Sequence, residues 1–337
     1  MRTARIKADG AGYYHCVSRV IERQFKFGDR EKEKFTEMMR RTEDFCGVKV
    51  VTHCVMSNHF HILVKVPERE AISDGELVRR LGRLYQPVLV KQIAAELEEA
   101  RKAAEEKGWE KPYQRMRERY LRRMYDVSEF MSTLKQRFSI WYNQNNGRVG
   151  TLWEQRFKSV LVEGTENALL TMATYIDLNP IRAGMVKDPK DYRYSGYGEA
   201  VAGVGLAREG LGLVMQSVEQ ATVWGQVNHL YRRMLYEQGE EVVSENGRIV
   251  RRGFKREEVE QVLKAGGRLA LPDALRCRVR YFTDGVVLGS QEYVEKVFKR
   301  HRKEFGLKRQ TGARKMKHAE WSGLCTMRAL RKEVVSV

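Results

Sequence analysis

Several things are scarce in this chain of 337 residues, and each scarcity narrows the reading. Cysteine is rare and scattered. Cys16, Cys46, Cys54, Cys277 and Cys325 are odd in number and never form a CxxC, which excludes a disulfide framework or a zinc ribbon and suggests reduced, mostly buried thiols. No run of some 18 apolar residues occurs, which argues against a membrane-spanning helix, and the opening MRTARIKADGAGYYH carries no apolar signal core. A cytoplasmic location with no membrane partner is therefore expected. There is no internal repeat. Acidic residues are in deficit: 44 Asp and Glu face 62 Lys and Arg, a net charge of +18. Such an excess calls for a polyanionic partner, nucleic acid ahead of an acidic membrane surface, or else marks a merely basic soluble protein. At 42% hydrophobic and 31% charged residues the chain is globular, and it is long enough for two domains.

What is present reads as alternating strands and helices. GYYHCVSRV (residues 12–20) suggests a first strand. Residues 29–47 have Phe35, Met38, Met39 and Phe45 at helical spacing, Asp29 as a cap and Gly47 as a stop. Residues 48–56 and 57–67 read as a strand hairpin through Ser57 and Asn58. A polar, charge-rich helical arm fills about 74–125. Residues 126–147 form an amphipathic helix capped by Ser128, with Phe130, Leu134, Phe138 and Trp141 along one side. Residues 151–164 read as a fourth strand, and 165–180 as a further helix capped by Thr165 and stopped by Pro180. The order β-α-β-β-α-β-α predicts an α+β fold, a ferredoxin-like sandwich with one added helix after its last strand. The Gly-rich stretch 196–212 suggests a boundary near residue 200. Beyond it, 201–337 reads as a mostly helical, basic accessory region, with 22 Lys and Arg against 10 Asp and Glu from Arg251 onward. Within it, residues 271–306 suggest a helix-turn-helix whose second helix Ser290 would cap, or simply a basic solvated tail.

The chemistry concentrates in SNHFHILVKVP. Strand alternation puts Phe60, Ile62, Val64 and Val66 on one face and His59, His61, Leu63 and Lys65 on the other. The two imidazoles stand on one side roughly 6 to 7 Å apart, two strand steps. At that spacing they can converge on one cation, or be separately solvated or hydrogen-bonded. Downstream, YIDLNP sets Tyr175 and Asn179 four residues apart, one turn along a helix face. His53 and Cys54 on the neighbouring strand offer a zinc alternative, but their spacing matches no standard finger and they point to opposite faces. Tyr142 is a weaker candidate nucleophile, since only Tyr175 has the amide one turn on. His15 reads as filling a strand position rather than approaching the site.

H-x-H on a strand of such a sheet, followed by Y-x-x-x-N on the helix after its last strand, resembles the IS200/IS605-like single-tyrosine transposases of the HUH endonuclease superfamily. Within these it looks most like the REP-associated tyrosine transposases. The matching segments are YYHCVSRV, VVTHCVMSNHFHILVKVP, FMSTLKQRFSIWYNQNNGRVGTLWEQRFKSV and ATYIDLNPIRAGMVKDPKDYRYSGYGE. They cover about the first 200 residues except the arm. The resemblance implies His59, His61 and Asn179 as ligands of Mg2+ or Mn2+, a choice of ion that suits an amide oxygen. It implies Tyr175 as the nucleophile, forming a 5′-phosphotyrosine in the cleavage and rejoining of single-stranded DNA at REP-like palindromic hairpins, with the nearby cation favouring its phenolate. A domesticated, non-cleaving binder of DNA or RNA hairpins is the alternative. Relatives occur as monomers and as exchanged homodimers. For DNA contact the sequence offers Arg148, Trp153, Arg156 and Lys158, with Arg137 weaker; Trp153 reads equally as core or as a stacking platform.

Overall fold

In the computed structural model, residues 5–24, 26–219, 223–237, 242–243, 249–251, 282–283, 285–306, 308–316, 321 and 323–328 are described. The N-terminal half is built from β1 (Gly12–Arg19), α1 (Asp29–Cys46), β2 (Lys49–Val55), β3 (His59–Val66), α2 (Asp74–Leu81), α3 (Pro87–Lys107), α4 (Glu110–Leu121), α5 (Val127–Asn145), β4 (Lys158–Val162), α6 (Glu166–Asp177) and α7 (Asn179–Arg182). There follow α8 (Gly196–Val201), α9 (Gly205–Glu219), α10 (Trp224–Glu237), a small two-stranded ladder of β5 (Val242–Val243) and β6 (Ile249–Arg251), β7 (Gly285–Gly289), α11 (Gln291–Arg300), β8 (Arg314–Lys315) and β9 (Cys325–Arg328).

The main sheet has the strand order β2-β3-β1-β4-β7-β9-β8. Its first four strands are antiparallel neighbours, with β3 inserted between the parallel β1 and β2. That is the order a split β-α-β unit followed by α-β produces, so the α+β expectation holds. One part of it is refined. The C-terminal region, expected to be mostly helical, also extends this same sheet: β7 pairs parallel with β4, and β9 and β8 continue outward. The segments GVVLG and CTMR are only five and four residues long, too short for alternation to stand out, which is why composition alone reads the region as helix or tail.

Both faces of the sheet are covered. The Phe60 face packs under α1 and α5, where Phe27, Phe35, Phe60, Phe138 and Trp153 form one aromatic cluster. Phe130, Leu134 and Phe138 of α5 are buried, as their spacing predicts. The opposite face carries α6, and α9 lies against β2. The helix ends obey local chemistry with two shifts. The α1 cap is Gly28, whose N–H donates to Glu31, and Gly47 ends the helix at φ +64°. The α5 cap is Asp126, not Ser128: its carboxylate accepts from the backbone N–H groups of Ser128 and Glu129.

The fourth strand is shorter than expected, only Lys158–Val162. Residues before it form a loop tied to α5, where the Lys135 ammonium donates to the Gln155 carbonyl and the Trp153 indole N–H to the Lys135 carbonyl. Gly196–Gly212, read as a boundary, is helical over α8 and most of α9. The first helix of the suggested helix-turn-helix falls on residues 271–281, outside the described residues. Ser290 does cap a helix, accepting from the Tyr293 N–H, but what precedes it is the strand β7.

The glycines of α9 differ in what surrounds them. A Cβ on Gly210 would stand 2.5 Å from the carbonyl oxygens of both Val50 and Val51, while one on Gly212 would meet nothing within 4 Å. Gly→Ala in a helix ordinarily stabilises by about 0.5–1 kcal/mol. Gly212→Ala should follow that rule. Gly210→Ala should reverse it, costing about 1–3 kcal/mol through overpacking against β2. Urea unfolding midpoints of the two variants check the opposite signs.

Candidate active site

The strand register decides which side chains share the histidine face. His61 lies opposite Cys54 on β2 and Val17 on β1, and Val17 in turn opposite Lys158 on β4. His59 lies opposite Arg19, and Leu63 opposite His15 and Thr52. Residues directly opposed across a ladder project to the same side, so His15, Arg19, Cys54, His59, His61 and Lys158 all belong to the face covered by α6.

Tyr175 comes down from α6 onto that face. Its ring centroid is 5.8 Å from that of His61 and 6.0 Å from that of His15, both edge to face. His59 and His61 have ring centroids 5.1 Å apart. Residues 114 positions apart in sequence thus converge, with His61 only 2% and Tyr175 only 7% exposed. Asn179 is 8% exposed and lies just past α6, in the one-turn helix α7 that follows Leu178. The expected single helix breaks there because Pro180 has no N–H to give. The Asn179 amide nitrogen donates to the carbonyls of Tyr175 (3.1 Å) and Ile176 (3.0 Å), caring for the carbonyls left at the end of α6. With its nitrogen held there, the amide oxygen is the end left for other work.

The hydrogen bonds of the imidazoles fix their tautomers. His15 Nδ1 is 2.9 Å from the Phe282 carbonyl, which can only accept. His15 is neutral: burial pushes its pKa down to about 4, Arg182 lowering it further while the carbonyl bond opposes. Nδ1 therefore carries its proton and Nε2 is bare. That bare nitrogen sits 2.9 Å from His61 Nδ1, so His61 donates, and its own Nε2 is left with a free lone pair. His59 Nδ1 donates to the Asn58 amide oxygen at 2.6 Å, which leaves its Nε2 bare as well. Burial, then the charges of Arg19 and Arg182, hold His59 down at about 4. Burial and the neighbouring imidazoles put His61 well below its ordinary value. Two neutral histidines, each with one nitrogen engaged and the other bare, have the donor state that divalent metal binding requires. The residue set therefore fits a cation.

Four residues of this neighbourhood escape the sequence reading. His15, expected only to fill a strand, bonds to His61 and stacks on it, with centroids 5.1 Å apart and planes 10° apart. Parity along YYHCVSRV gives the face, but only the β1–β3 register puts His15 beside His61. Arg182 lies over the Tyr175 ring at 4.3 Å and donates to the Tyr175 carbonyl at 2.7 Å. Phe282 stacks on Tyr175 with centroids 4.4 Å apart, so the C-terminal region reaches the site. A fourth, Asp177, anchors α6 from beneath. Its buried carboxylate accepts from Tyr231 of α10 (2.6 Å) and Thr52 of β2 (2.9 Å), yet burial outweighs these bonds and raises its pKa to about 7.

The expected DNA contacts separate. Arg156 and Lys158 are exposed; Arg156 lies in the loop before β4, not on the strand with Lys158 as expected. Arg148, half-buried, follows α5. Arg137 is half-buried on the outer side of α5, over the Tyr85 ring at 5.5 Å. Trp153 is 8% exposed within the aromatic cluster, so it is core and not a stacking platform. Tyr142 also packs in that cluster, against Phe27 and Phe138.

His53 and Cys54 do point to opposite faces. Cys54 joins the site face, its thiol raised well above 9 by burial and then by Asp177. His53 faces away, with neither ring nitrogen hydrogen-bonded among the described residues and Glu199 3.9 Å off. Among the described residues no group of three or more His, Cys, Asp or Glu is placed to hold a metal ion.

Residues 10–115 match the family model described as "Transposase IS200 like". This segment holds β1 to β3 with His15, His59 and His61, and runs on through most of the helical arm; the family it is similar to is the one expected from the motifs. Tyr175 and Asn179 lie beyond it. No curated protein matches the chain. Among solved structures the chain is similar to one described as the REP-associated tyrosine transposase bound to a REP hairpin, at 14% identity over 60% of this chain and 87% of that one, with a TM-score of 0.39. Among the described residues no helix is long and apolar enough to cross a membrane.

His53 supplies a pH test away from the histidine pair. Burial depresses its folded pKa to about 4, against an ordinary 6.5. The stability that goes with its neutral form is complete above pH 6.5 and is lost as pH falls toward 4, because the unfolded chain takes the proton first. The difference in unfolding free energy between wild type and His53→Leu should therefore rise on the order of 3 kcal/mol from pH 4 to pH 7. Paired denaturant titrations at both pH values measure it, and subtraction cancels the opposite trend from Asp177.

Proposed function

We propose that this IS200-like chain is a tyrosine transposase, a metal-dependent transesterase that cleaves and rejoins single-stranded DNA at hairpin sequences. The observation that carries this reading is the meeting of the Tyr175 ring with the neutral His59–His61 pair, of which His61 is buried and His59 half-buried.

Three atoms would hold Mg2+ or Mn2+: Nε2 of His59, Nε2 of His61 and the side-chain oxygen of Asn179. When bound, the ion supplies positive charge to a non-bridging phosphate oxygen of the scissile linkage. The remaining work belongs to the side chains. Tyr175 Oη attacks phosphorus, the O–P bond to the phenol forms as the P–O3′ bond breaks, and the products are a 5′-phosphotyrosine and a free 3′-OH. The ester keeps the bond energy of the original linkage, so a 3′-OH can reverse the step and join strands without ATP. Phe282 and Arg182 hold the phenol ring from two sides. The guanidinium also places positive charge where negative charge grows on the attacking phenol. The His15–Phe282 relay keeps His61 in the tautomer whose Nε2 is free to ligate.

Incubation with a labelled single-stranded hairpin oligonucleotide and Mn2+ should give a covalent adduct on a denaturing gel. Tyr175→Phe should abolish it, and His61→Ala should reduce it by at least a hundredfold. An adduct that survives Tyr175→Phe would sink the assignment. Tight hairpin binding with no adduct across many palindromes would favour a non-cleaving binder instead.

A second expectation concerns the tautomer. His15→Phe removes the acceptor for His61 Nδ1–H and should weaken Mn2+ binding about 10- to 100-fold, the usual effect of losing a partner that orients a ligating histidine. Calorimetric titration with Mn2+ reads this directly; unchanged affinity would mean that the relay has no part in metal binding.

A further inference from the structure

On the far side of the sheet from Tyr175, the outer face of α5 lines a groove of about 1030 Å³. Its other walls are the end of α4 and the turn before α3, both parts of the helical arm. The groove is rich in positive charge. In the arm and its flanks, several arginines are paired with carboxylates, Arg69 with Glu118, Arg79 with Asp44 and Glu76, Arg80 with Glu76, Arg83 with Asp44, Arg101 with Glu98 and Glu105, and Arg117 with Asp74, while Arg119 rests on the Tyr120 ring instead. The three arginines that line the groove are not so paired. Arg123 donates to the Tyr85 hydroxyl and to Thr133. Arg137 rests on the Tyr85 ring, neither it nor the exposed Arg122 is ion-paired among the described residues, and Glu129 is the one carboxylate lining the groove. Burial, and then the like charges of Arg123 and Arg41, lower the affinity of Arg137 for its proton, with Tyr85 opposing.

A cluster that is held in place and in which like charge predominates is at its most stable when an anion occupies it, and here three guanidinium groups share the groove with the single carboxylate of Glu129. Here the holding is built in: Tyr85 orients Arg137 by its ring and Arg123 by its hydroxyl, so two guanidinium groups are fixed before any ligand arrives. Gln136, next to Arg137, and Gln144, two turns further along α5, add neutral donors of the kind that serve phosphate and sugar oxygens.

We propose that this groove is a second DNA-binding site, in which Arg122, Arg123 and Arg137 grip backbone phosphates of the substrate molecule away from the point of cleavage. It rests on the reading of the chain as a DNA enzyme but not on Tyr175 being the nucleophile. Because the site lies across the sheet from α6, a DNA bound at both must pass around the edge of the domain. The groove thereby contributes to affinity through length of DNA, and short substrates miss it.

The test uses the full chain carrying Tyr175→Phe, which removes the covalent trap from a binding measurement. Affinities are measured by fluorescence anisotropy across a series of salt concentrations, with a hairpin bearing a long single-stranded tail and with the same hairpin blunt-ended. Adding Arg122→Gln and Arg137→Gln should weaken binding of the tailed hairpin about tenfold and reduce the salt slope by about 2, since each phosphate contact contributes about 0.7–0.9. Arg122→Lys with Arg137→Lys should retain most of the slope. A loss confined to the tailed hairpin assigns the groove to the single strand, and an equal loss with the blunt hairpin assigns it to the stem. Unchanged affinity and slope for both DNAs, in a variant with wild-type circular dichroism, would overturn the proposal and leave the cluster to an acidic protein partner. Tyr175 is tested separately by adduct formation, so either reading can fall without the other.

Discussion

A neutral imidazole has one nitrogen that donates and one that accepts, and burial removes water as a partner for either. Everything distinctive about this site follows from that restriction. In the open, His59 and His61 would exchange tautomers and protons freely. Under α6 they cannot: Asn58 fixes one ring, and His15 with the Phe282 carbonyl fixes the other. Desolvation keeps all three rings uncharged. The outcome is a pair of bare lone pairs on one strand face beside a phenol, and neither helix capping nor core packing accounts for that arrangement. It is costly in the sense that buried polar groups always are, since each ring needs a partner at each end.

The fold explains how a phenol can be brought to that pair. Period-two alternation in β3 divides its side chains into an apolar set, sealed by α1 and α5, and the histidine set. A ferredoxin-like unit alone would leave the second set facing water. The added helix α6 closes it, and α6 is pinned from three directions: to β2 through Thr52 and Asp177, to α10 through Tyr231 and Asp177, and to the C-terminal region through Phe282 on Tyr175. The residues beyond 200 are therefore not only a basic appendage. They extend the sheet through β7, β9 and β8, and they brace the helix that carries the phenol.

How much of this was legible in the sequence depends on the range of the interaction involved. Alternation, helical spacing and glycine stops are local, and they place β1 to β3, α1 and α5 within a residue or two, while α6 ends three residues before the expected stop. The pairing of the histidines was legible for the same reason, since i and i+2 on one strand need no tertiary knowledge. What failed was whatever needed register or context. Asp126 caps α5 in place of Ser128 because the backbone turns two residues earlier. The β4 strand was drawn too long because TLWEQRF has strand-like residues, while Lys135 and Trp153 hold that stretch as a loop against α5. His15 reads from sequence as filling a strand position because its relevance lies in its distance to His61, which only the β1–β3 register supplies.

Arginine illustrates the same divide at the surface. Counting gives a net charge of +18, and counting cannot say which charges are spent. Most arginines of the arm are tied to neighbouring carboxylates and present little field beyond a Debye length of about 8 Å. Arg79 and Arg101, conspicuous in sequence, are of this kind. Arg137 looks ordinary in STLKQRFSIW, yet its helix face and the Tyr85 ring leave its charge uncompensated. A basic composition thus implies an anionic partner only in aggregate. Where that partner sits is decided by the arginines that the fold withholds from carboxylates, and among the described residues these include Arg122, Arg123 and Arg137 on the side of the sheet that the histidines do not use, as well as Arg19 and Arg182 beside the histidines.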